Sequence, residues 1–395
     1  MISQEHKKHA ELTRSSQGNF GRNEWAMLGT PCSEIKKLAD EIIGNLSGSY
    51  KCAYVDAAHA KEDEGASLPG RLSAGAVAEY SDKINHHEFT FRQSLNPFQF
   101  RKLFYDADLI LVNGNHQQAK SQVVVMDRVK EASLRKKLNR LTDVKLFLLA
   151  EGVEDVFDFV KEAIPHWEKT PVYRIGDKEK IISFFEQKMK AAIPKLNGLV
   201  LAGGKSLRLG SDKGKINWHG KEQRYHLAEL LQEFCDEVFI SCREEQRAEI
   251  DSSFKTLTDT FIGLGPYGAI LSAFREQPNA AWLVVACDLP LLNESTLCFL
   301  VEHRNPSSIG TTFESPYDSL PEPLITIWEP KSYSVLLSFL SQGYSCPRKA
   351  LINSESIIIK APNGDALMNV NTREEFQRAN KLLNRKQAEM KEIIA

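Results

Sequence analysis

The sequence has 395 residues, of which 42% are hydrophobic, and a formal net charge of −2. This length allows two or three domains, each with a sizeable core, and the near-neutral charge gives no general nucleic-acid footprint. No apolar run reaches the ~18 residues needed to span a bilayer, and the polar N-terminus lacks the apolar core of a secretory signal. Seven cysteines without a Cys-x-x-Cys pair indicate neither a disulfide framework nor a zinc site. The sequence therefore predicts a soluble, cytoplasmic protein.

Residues 1–23 mix charged and small polar residues without apolar periodicity, which predicts a flexible arm. Strand and helix patterns then alternate through residues 24–165, as they do in a parallel α/β domain. The predicted strands are 25–28, 51–57, 107–112, 122–126 and 144–149. The predicted helices are 32–46, 129–140 and 153–163.

Residues 166–195 are predicted to connect this domain to the next. Prolines flank a helix pattern at 178–192, whose apolar spacing indicates that the helix packs on something rather than tethering loosely. Pro194 stops that helix, so we place the domain boundary near 193–196.

Residues 196–395 alternate in the same way and predict a doubly wound α/β domain. Its strand at 281–286 is apolar on both faces, as buried parallel strands are. The carboxyl end of this strand leads to Asp288. Because ligands in such sheets bind beyond the carboxyl ends of the strands, Asp288 and the loop after the first strand can meet there.

The stretch 199–215 has the character of a phosphate-binding loop. Gly203 and Gly204 follow an apolar strand and can bring backbone N–H groups close to an anion. The spacing fits neither a Walker A loop nor a dinucleotide fingerprint, so it predicts another kind of nucleotide site. The alternative is a plain connection with a solvated basic face. The cations that could neutralise a triphosphate are Lys205, Arg208, Lys213 and Lys215.

The run from Leu201 to Lys213, Leu-Ala-Gly-Gly-x-Ser-x-Arg-x-Gly-x-Asp-Lys, is similar to the signature of the molybdenum cofactor guanylyltransferases, the MobA family of nucleotidyltransferases. Three further motifs follow in the order found in that family. They are Gly-Pro-Tyr-Gly-Ala-Ile at 265–270, Cys-Asp-Leu-Pro at 287–290 and Asn-Val-Asn-Thr at 369–372. The resemblance covers about residues 196–392 and implies a Rossmann-like nucleotidyltransferase sheet.

The resemblance implies transfer of GMP from GTP to molybdopterin-bound molybdenum cofactor, with release of pyrophosphate. Catalysis is assigned to Arg208, Lys213 and Asp288. Nucleotide binding is assigned to Leu201, Ala202, Gly203, Gly204, Lys213, Asp259 and Gly265. Asn369 and Asn371 fall on the acceptor side. Mg²⁺ keeps several waters and few protein ligands, so Asp288 with the nucleotide's phosphates can hold it.

Some of these assignments have structural alternatives. Asp288 could serve as a turn or N-cap residue before Pro290. Asn371 and Thr372 also form a good helix start. Arg348 stands at a predicted helix start where an anionic pterin phosphate would bind, but it could equally lie on a solvated surface. For the whole protein, the alternative functions are a cytidylyltransferase for the same cofactor, a sugar-phosphate nucleotidyltransferase and a cofactor-delivery scaffold.

The N-terminal half faintly resembles the P-loop GTP-binding partner protein of the same pathway. Residues 29–34 read Gly-Thr-Pro-Cys-Ser-Glu where that family has Gly-x-x-x-x-Gly-Lys-Thr, and Asn113 replaces an acidic residue. A loop without the lysine and the second glycine should not cradle a triphosphate. We therefore predict a degenerate P-loop-like domain that docks a cofactor donor protein, an acceptor protein or a second copy.

Overall fold

The computed structural model describes residues 18–58, 68–202 and 212–394. The chain divides into two compact units, the first ending at Ala192 and the second beginning at Ile193. Within the described residues, no helix is both long enough and apolar enough to cross a membrane.

The first unit contains a parallel sheet, a separate hairpin and flanking helices. Its described strands are β1 (Glu24–Leu28), β2 (Cys52–Val55), β3 (Ala78–Asp82), β4 (His87–Phe91), β5 (Leu109–Asn113), β6 (Ser121–Met126), β7 (Val144–Leu149) and β8 (Val172–Arg174). Its described helices are α1 (Cys32–Leu46), α2 (Pro97–Leu103), α3 (Glu131–Arg135), α4 (Asp158–Ala163) and α5 (Lys178–Ala191). The sheet order is β2-β5-β1-β6-β7-β8, with every pair parallel, while β3 and β4 form an antiparallel hairpin.

The segment expected to be a connector belongs to the first unit, so that prediction was wrong. β8 pairs with β7 at the edge of the sheet, and α5 buries its apolar face in the same core as α1. The apolar stripe of α5 needed a surface to cover, and the first sheet supplies it. The buried side chains of α5 are Ile181, Phe184, Phe185 and Met189.

Residues 18–23, which were predicted to belong to a flexible N-terminal arm, are ordered. Residues 1–17 lie outside the described residues. Phe20 is buried, with its ring centroid 5.4 Å from that of Phe100 and 5.8 Å from that of Phe104. The aromatic contacts therefore fix the chain before β1 begins.

Gly29 ends β1 in a conformation that other residues rarely adopt, with φ at +96°. A Cβ added there would lie 2.3 Å from the backbone oxygen of Val125. We expect Gly29→Ala to lower the free energy of unfolding by about 2–3 kcal/mol, because it adds strain and a clash with backbone. Gly44, inside α1, has open space around it, so Gly44→Ala should stabilise the first unit by about 0.5–1 kcal/mol. Urea unfolding compares the two variants, and equal effects would contradict this account.

The second unit is built on a seven-stranded mixed sheet. Its described strands are β9 (Leu196–Leu201), β10 (Glu237–Cys242), β11 (Lys255–Thr258), β12 (Ala281–Ala286), β13 (Gly310–Glu314), β14 (Pro321–Trp328) and β15 (Ile357–Ile359). Its described helices are α6 (Gln223–Gln232), α7 (Pro266–Glu276), α8 (Glu294–Glu302), α9 (Ser332–Ser341), α10 (Pro347–Ile352) and α11 (Arg373–Ile394).

The strand order β11-β10-β9-β12-β14-β13-β15 makes this sheet doubly wound. The chain runs outward from β9 through β10 to β11, then returns to place β12 on the other side of β9. The topological switch point therefore lies between the carboxyl ends of β9 and β12. Side chains of β12 alternate between two cores: Leu283 and Val285 pack with α6 and α8, and Trp282 and Val284 with α7, α9 and α10. The predicted α/β class is confirmed in both units.

Candidate active site

The switch point brings together three side chains from distant parts of the sequence. Lys213 lies in a 3-10 turn after β9, Asp288 follows β12, and Asn371 precedes α11. The Lys213 Nζ lies 3.2 Å from Asp288 Oδ2 and 2.5 Å from Asn371 Oδ1. The side chains of Lys213 and Asp288 are only 22% and 17% exposed. Lys213 and Asp288, to which the resemblance assigned catalysis, therefore lie together in a site that is partly shielded from solvent. Gly203, Gly204 and Arg208 lie outside the described residues.

The carboxylate of Asp288 has one oxygen with no hydrogen-bond partner among the described residues. This Oδ1 is buried and accepts no hydrogen bond from residues 18–58, 68–202 or 212–394. An unpaired buried carboxylate oxygen is costly, and a bound cation would satisfy it. Among the residues that the structure describes, no group of three or more His, Cys, Asp or Glu side chains could hold a metal. The chemistry of Asp288 fits a magnesium ion that draws most of its ligands from water and phosphate.

The structural alternative for Asp288 is not supported. The N-cap of α8 is Asn293, whose side chain accepts the Thr296 N–H at 3.0 Å. The backbone carbonyl of Asp288 accepts the Val370 N–H at 2.8 Å, which ties the end of β12 to the segment before α11. The turn is thus maintained by the backbone, and the Asp288 side chain is left to face Lys213. Asn369, half-buried, is the residue immediately before Val370.

The helix-start interpretation of the segment before α11 is confirmed, and the acceptor-side role of Asn371 stays a prediction. Thr372 Oγ1 accepts the Glu375 N–H at 3.2 Å, and Glu375 Oε2 accepts the N–H groups of Asn371 at 2.7 Å and Thr372 at 2.9 Å. This reciprocal pattern is a capping box centred on Thr372. Helix capping therefore uses the backbone of Asn371, and its side chain remains available to hold Lys213.

The turn that carries Lys213 is held by Asp212, which belongs to the loop motif, and by Gln246, which the sequence patterns did not indicate. Asp212 Oδ1 accepts the Gly214 N–H at 2.9 Å, and its Oδ2 accepts from the side chain of Gln246 at 3.3 Å. Farther along, the His219 Nε2 lies 2.8 Å from the Pro290 carbonyl, which links this segment to the Asp288 turn. An Asp directly before a Lys-Gly pair is a recognisable Asx-turn signal. The contact with Pro290, 71 residues away, has no sequence signal.

Asp259 and Gly265 flank the loop between β11 and α7. The Asp259 Oδ1 accepts the Ser241 hydroxyl at 2.7 Å. Burial raises the pKa of the Asp259 carboxyl, although the Ser241 hydrogen bond and the charge of Arg243 act against that rise. Gly265 is the N-cap of α7 and has φ at +54°, a conformation that favours glycine. Both residues lie at the carboxyl side of the sheet, as expected.

Arg348 is placed differently from the expectation. Its guanidinium lies 2.8 Å from Asp318 Oδ2 and 3.1 Å from Glu322 Oε2. Neither contact involves the Lys213 and Asp288 pair. Because two carboxylates neutralise it, Arg348 is not the free cation that the sequence suggested, and an acceptor phosphate would have to displace one of them.

In the first unit, side chains of the same unit form hydrogen bonds with the turn at Gly29 and Thr30. The Gly29 N–H donates to Asn115 Oδ1 at 3.5 Å, and the Asn115 Nδ2 donates to the Thr30 carbonyl at 2.8 Å. The Thr30 hydroxyl donates to Asp127 Oδ2 at 2.6 Å. Farther along, the Asn113 Nδ2 donates to Asp56 Oδ1 at 2.7 Å.

Residues 198–355 match the family model described as "MobA-like NTP transferase domain". These residues include most of the doubly wound sheet and the pair of Lys213 and Asp288 at its switch point. This part of the chain is therefore similar to a nucleotidyltransferase domain. The resemblance that the four motifs predicted for the second half is confirmed over these residues.

Two relatives carry more particular names. The "Molybdenum cofactor biosynthesis bifunctional protein" of Synechocystis sp. is 32% identical over 186 residues, which are 47% of this chain and 54% of the relative. The chain thus covers about half the length of that protein. The "Molybdenum cofactor guanylyltransferase" of Pseudomonas entomophila is 28% identical over 149 residues, which are 36% of this chain and 78% of the relative. Among solved structures, the molybdopterin-guanine dinucleotide biosynthesis protein A of Archaeoglobus fulgidus is 22% identical, covers 48% of this chain and 99% of its own, and has a TM-score of 0.42.

Proposed function

We propose that the second unit is a cytoplasmic, magnesium-dependent guanylyltransferase that transfers GMP from GTP to molybdopterin-bound molybdenum cofactor and releases pyrophosphate. The observation that carries this proposal is the pairing of Lys213 with Asp288 at the switch point, where Asp288 keeps a buried oxygen that no described residue contacts by a hydrogen bond. The relatives named as molybdenum cofactor proteins support the choice of nucleotide and acceptor.

In this reaction a phosphate oxygen of the acceptor attacks the α-phosphorus of GTP in line, and pyrophosphate leaves. Negative charge develops on the non-bridging oxygens and on the leaving group, so catalysis is mainly positioning and charge neutralisation. Asn371 accepts a hydrogen bond from the Lys213 ammonium group. It would keep this group in place while Lys213 exchanges its contact with Asp288 for a contact with the phosphates. Mg²⁺ bound at Asp288 would neutralise charge on the phosphates.

Nucleotide binding is assigned to the loop after β9 and to the loop before α7. Leu201 and Ala202 lead directly into Gly203 and Gly204, whose backbone would face the phosphates, and Arg208 adds charge. Across the sheet, Asp259 and Gly265 would contact the nucleoside. Asn369 and Asn371 would face the acceptor.

The first unit is assigned a docking role toward a protein that supplies or receives the cofactor. The turn at residues 29–31 supports this proposal, because Asn115 already accepts the Gly29 N–H that a phosphate cradle would offer to an anion, and Pro31 has no N–H. We expect one nucleotide site per chain, in the second unit.

The test is pyrophosphate release by the full chain with Mg²⁺, molybdopterin cofactor and each nucleoside triphosphate in turn. We expect release with GTP at a kcat/KM at least about 100-fold above that with CTP or ATP, because wrong bases leave polar groups unpaired. A preference for CTP would make the protein a cytidylyltransferase. Release only with a sugar phosphate as acceptor would overturn the proposed substrate, and no release with any pair would favour a delivery scaffold.

A further inference from the structure

Ser241 lies between the two segments assigned to nucleotide binding. It is the last residue but one of β10 and is only 1% exposed. Its backbone carbonyl accepts the Ala202 N–H at 3.1 Å, and its hydroxyl donates to Asp259 Oδ1 at 2.7 Å. One buried residue therefore contacts both the start of the glycine loop and the carboxylate beyond β11.

The backbone around Asp259 is fixed independently of Ser241's hydroxyl. The Asp259 N–H donates to the Cys242 carbonyl at 3.1 Å. The next two N–H groups, of Thr260 and Phe261, donate to Ser272 Oγ at 2.8 and 3.3 Å. With the backbone held by β10 and α7, the remaining freedom of Asp259 is the orientation of its carboxylate, and the Ser241 hydroxyl restricts that orientation.

Within the part of the chain that the structure describes, Arg243 is the charged group that acts on the Asp259 carboxylate. Arg243 attracts the Asp259 carboxylate but also lies 2.8 Å from Glu245 Oε1. Burial raises the pKa of the neighbouring Cys242 thiol to about 11, so this thiol stays neutral near pH 7. On α7, Ser272 contributes a neutral hydroxyl. The hydrogen bond from Ser241 therefore opposes the rise in the pKa of Asp259 and also orients its carboxylate.

We propose that Ser241 is a positioning residue for nucleotide recognition: its hydroxyl occupies Asp259 Oδ1 and so directs Oδ2 to accept a hydrogen bond from a donor on the nucleoside. This inference rests on the proposed function, because the nucleotide contact of Asp259 belongs to it. Ser241 itself does not touch the nucleotide through its hydroxyl, and it acts through Asp259.

The strand order favours the base over the ribose as the source of that donor. β11 lies three strands away from β12, which is about 14 Å at the usual spacing between strands. If the phosphates lie at Asp288, the base extends farther toward β11 than the ribose does. Guanine offers a ring N–H beside an amino group, and such a pair suits a carboxylate acceptor.

The first test is calorimetric binding of GTP to the full chain, without acceptor. We expect Ser241→Ala to weaken GTP binding about five- to tenfold, as expected for a lost hydrogen bond to a charged group. In turnover, KM for GTP should rise by a larger factor than kcat falls. Ser241→Thr keeps the hydroxyl and should recover most of the affinity. Ser253→Ala, an exposed hydroxyl between β10 and β11, is the matched control and should change nothing.

A double-mutant cycle separates positioning from a structural effect. If Ser241 acts through Asp259, then Ser241→Ala should cost no further affinity once Asp259→Asn is present. Equal penalties in both backgrounds would overturn the inference. So would unchanged GTP affinity in Ser241→Ala, whereas failure of the unaltered protein to bind GTP would overturn the proposed function instead.

Nucleotide analogues and pH complete the test. If the donor is the amino group or the ring N–H of guanine, the Ser241→Ala penalty should shrink with inosine triphosphate or with 1-methyl-GTP, respectively; if it is a ribose hydroxyl, the penalty should shrink with 2′-deoxy-GTP or 3′-deoxy-GTP. An undiminished penalty with all four analogues would contradict the inference. Because binding needs the ionised carboxylate, affinity should fall as pH drops through the pKa of Asp259. Removal of the Ser241 hydrogen bond raises that pKa, so the fall should begin at higher pH in Ser241→Ala.

Discussion

Asp288→Asn is expected to lower kcat about a thousandfold while the second unit stays folded. The amide keeps the shape of the carboxylate but removes its charge, and with it about 4 kcal/mol of transition-state stabilisation through the metal. Asp288 contributes the buried Oδ1 that a metal would use and the Oδ2 that Lys213 contacts. Pyrophosphate release as a function of Mg²⁺ concentration measures the effect, and the KM for Mg²⁺ should rise together with the fall in kcat.

The matched control for this variant is Asp251→Asn. Asp251 is an exposed carboxylate between β10 and β11 that accepts hydrogen bonds from Ser253. It should retain full turnover and an unchanged requirement for Mg²⁺. Wild-type turnover in Asp288→Asn would remove Asp288 from the reaction.

Lys213→Met is expected to lower kcat/KM for GTP by a factor of about 100 to 1,000. Lysine contacts phosphates in both the ground state and the transition state, so binding and transfer should weaken together. Asn371→Ala should cost less, about tenfold, because it removes only one hydrogen bond that holds the lysine in place. Steady-state kinetics and GTP calorimetry on both variants check this order.

Lys221→Met provides the control for charge. The Lys221 side chain is 43% exposed and pairs with Glu229, so it carries the same charge at a distance from the assigned phosphate contacts. It should leave kcat/KM within about twofold, as surface changes usually do. A larger loss in Asn371→Ala than in Lys213→Met would mean that Asn371, rather than Lys213, contacts the reacting groups.

Local sequence patterns predicted the elements that are strongly periodic or apolar. α1, β7 and β12 begin and end where their patterns do. The patterns could not show which partner a helix face covers: the stripe on α5 predicted packing, but only the structure assigns it to the first sheet. The β3–β4 hairpin was missed because it lies apart from the main sheet and exposes both strands, so it has no clear burial pattern.

The sequence predicted the part of the candidate site that depends on the ends of neighbouring strands. It could not predict contacts between side chains that lie far apart in the sequence. The α/β pattern places Asp288 beside the loop after β9, and the structure adds that Lys213 lies against it. The contact of Ser241 with Asp259 depends on β10 and β11 being neighbours, and the neutralisation of Arg348 depends on carboxylates 26 and 30 residues away. For Asn371, the sequence offered a helix start and an acceptor contact. The structure shows its backbone N–H at the helix start and its side chain against Lys213, and the acceptor contact stays a prediction.

Transfer of isotopic label from GTP to the cofactor tests the central claim most directly. The full chain is incubated with Mg²⁺, molybdopterin cofactor and GTP labelled at either the α- or the γ-phosphate. In-line attack at the α-phosphorus requires the α-label to appear in the cofactor and the γ-label in pyrophosphate, with both lost in Asp288→Asn. Label from the γ-phosphate in the cofactor or in free phosphate, or the same transfer in Asp288→Asn, would contradict the account.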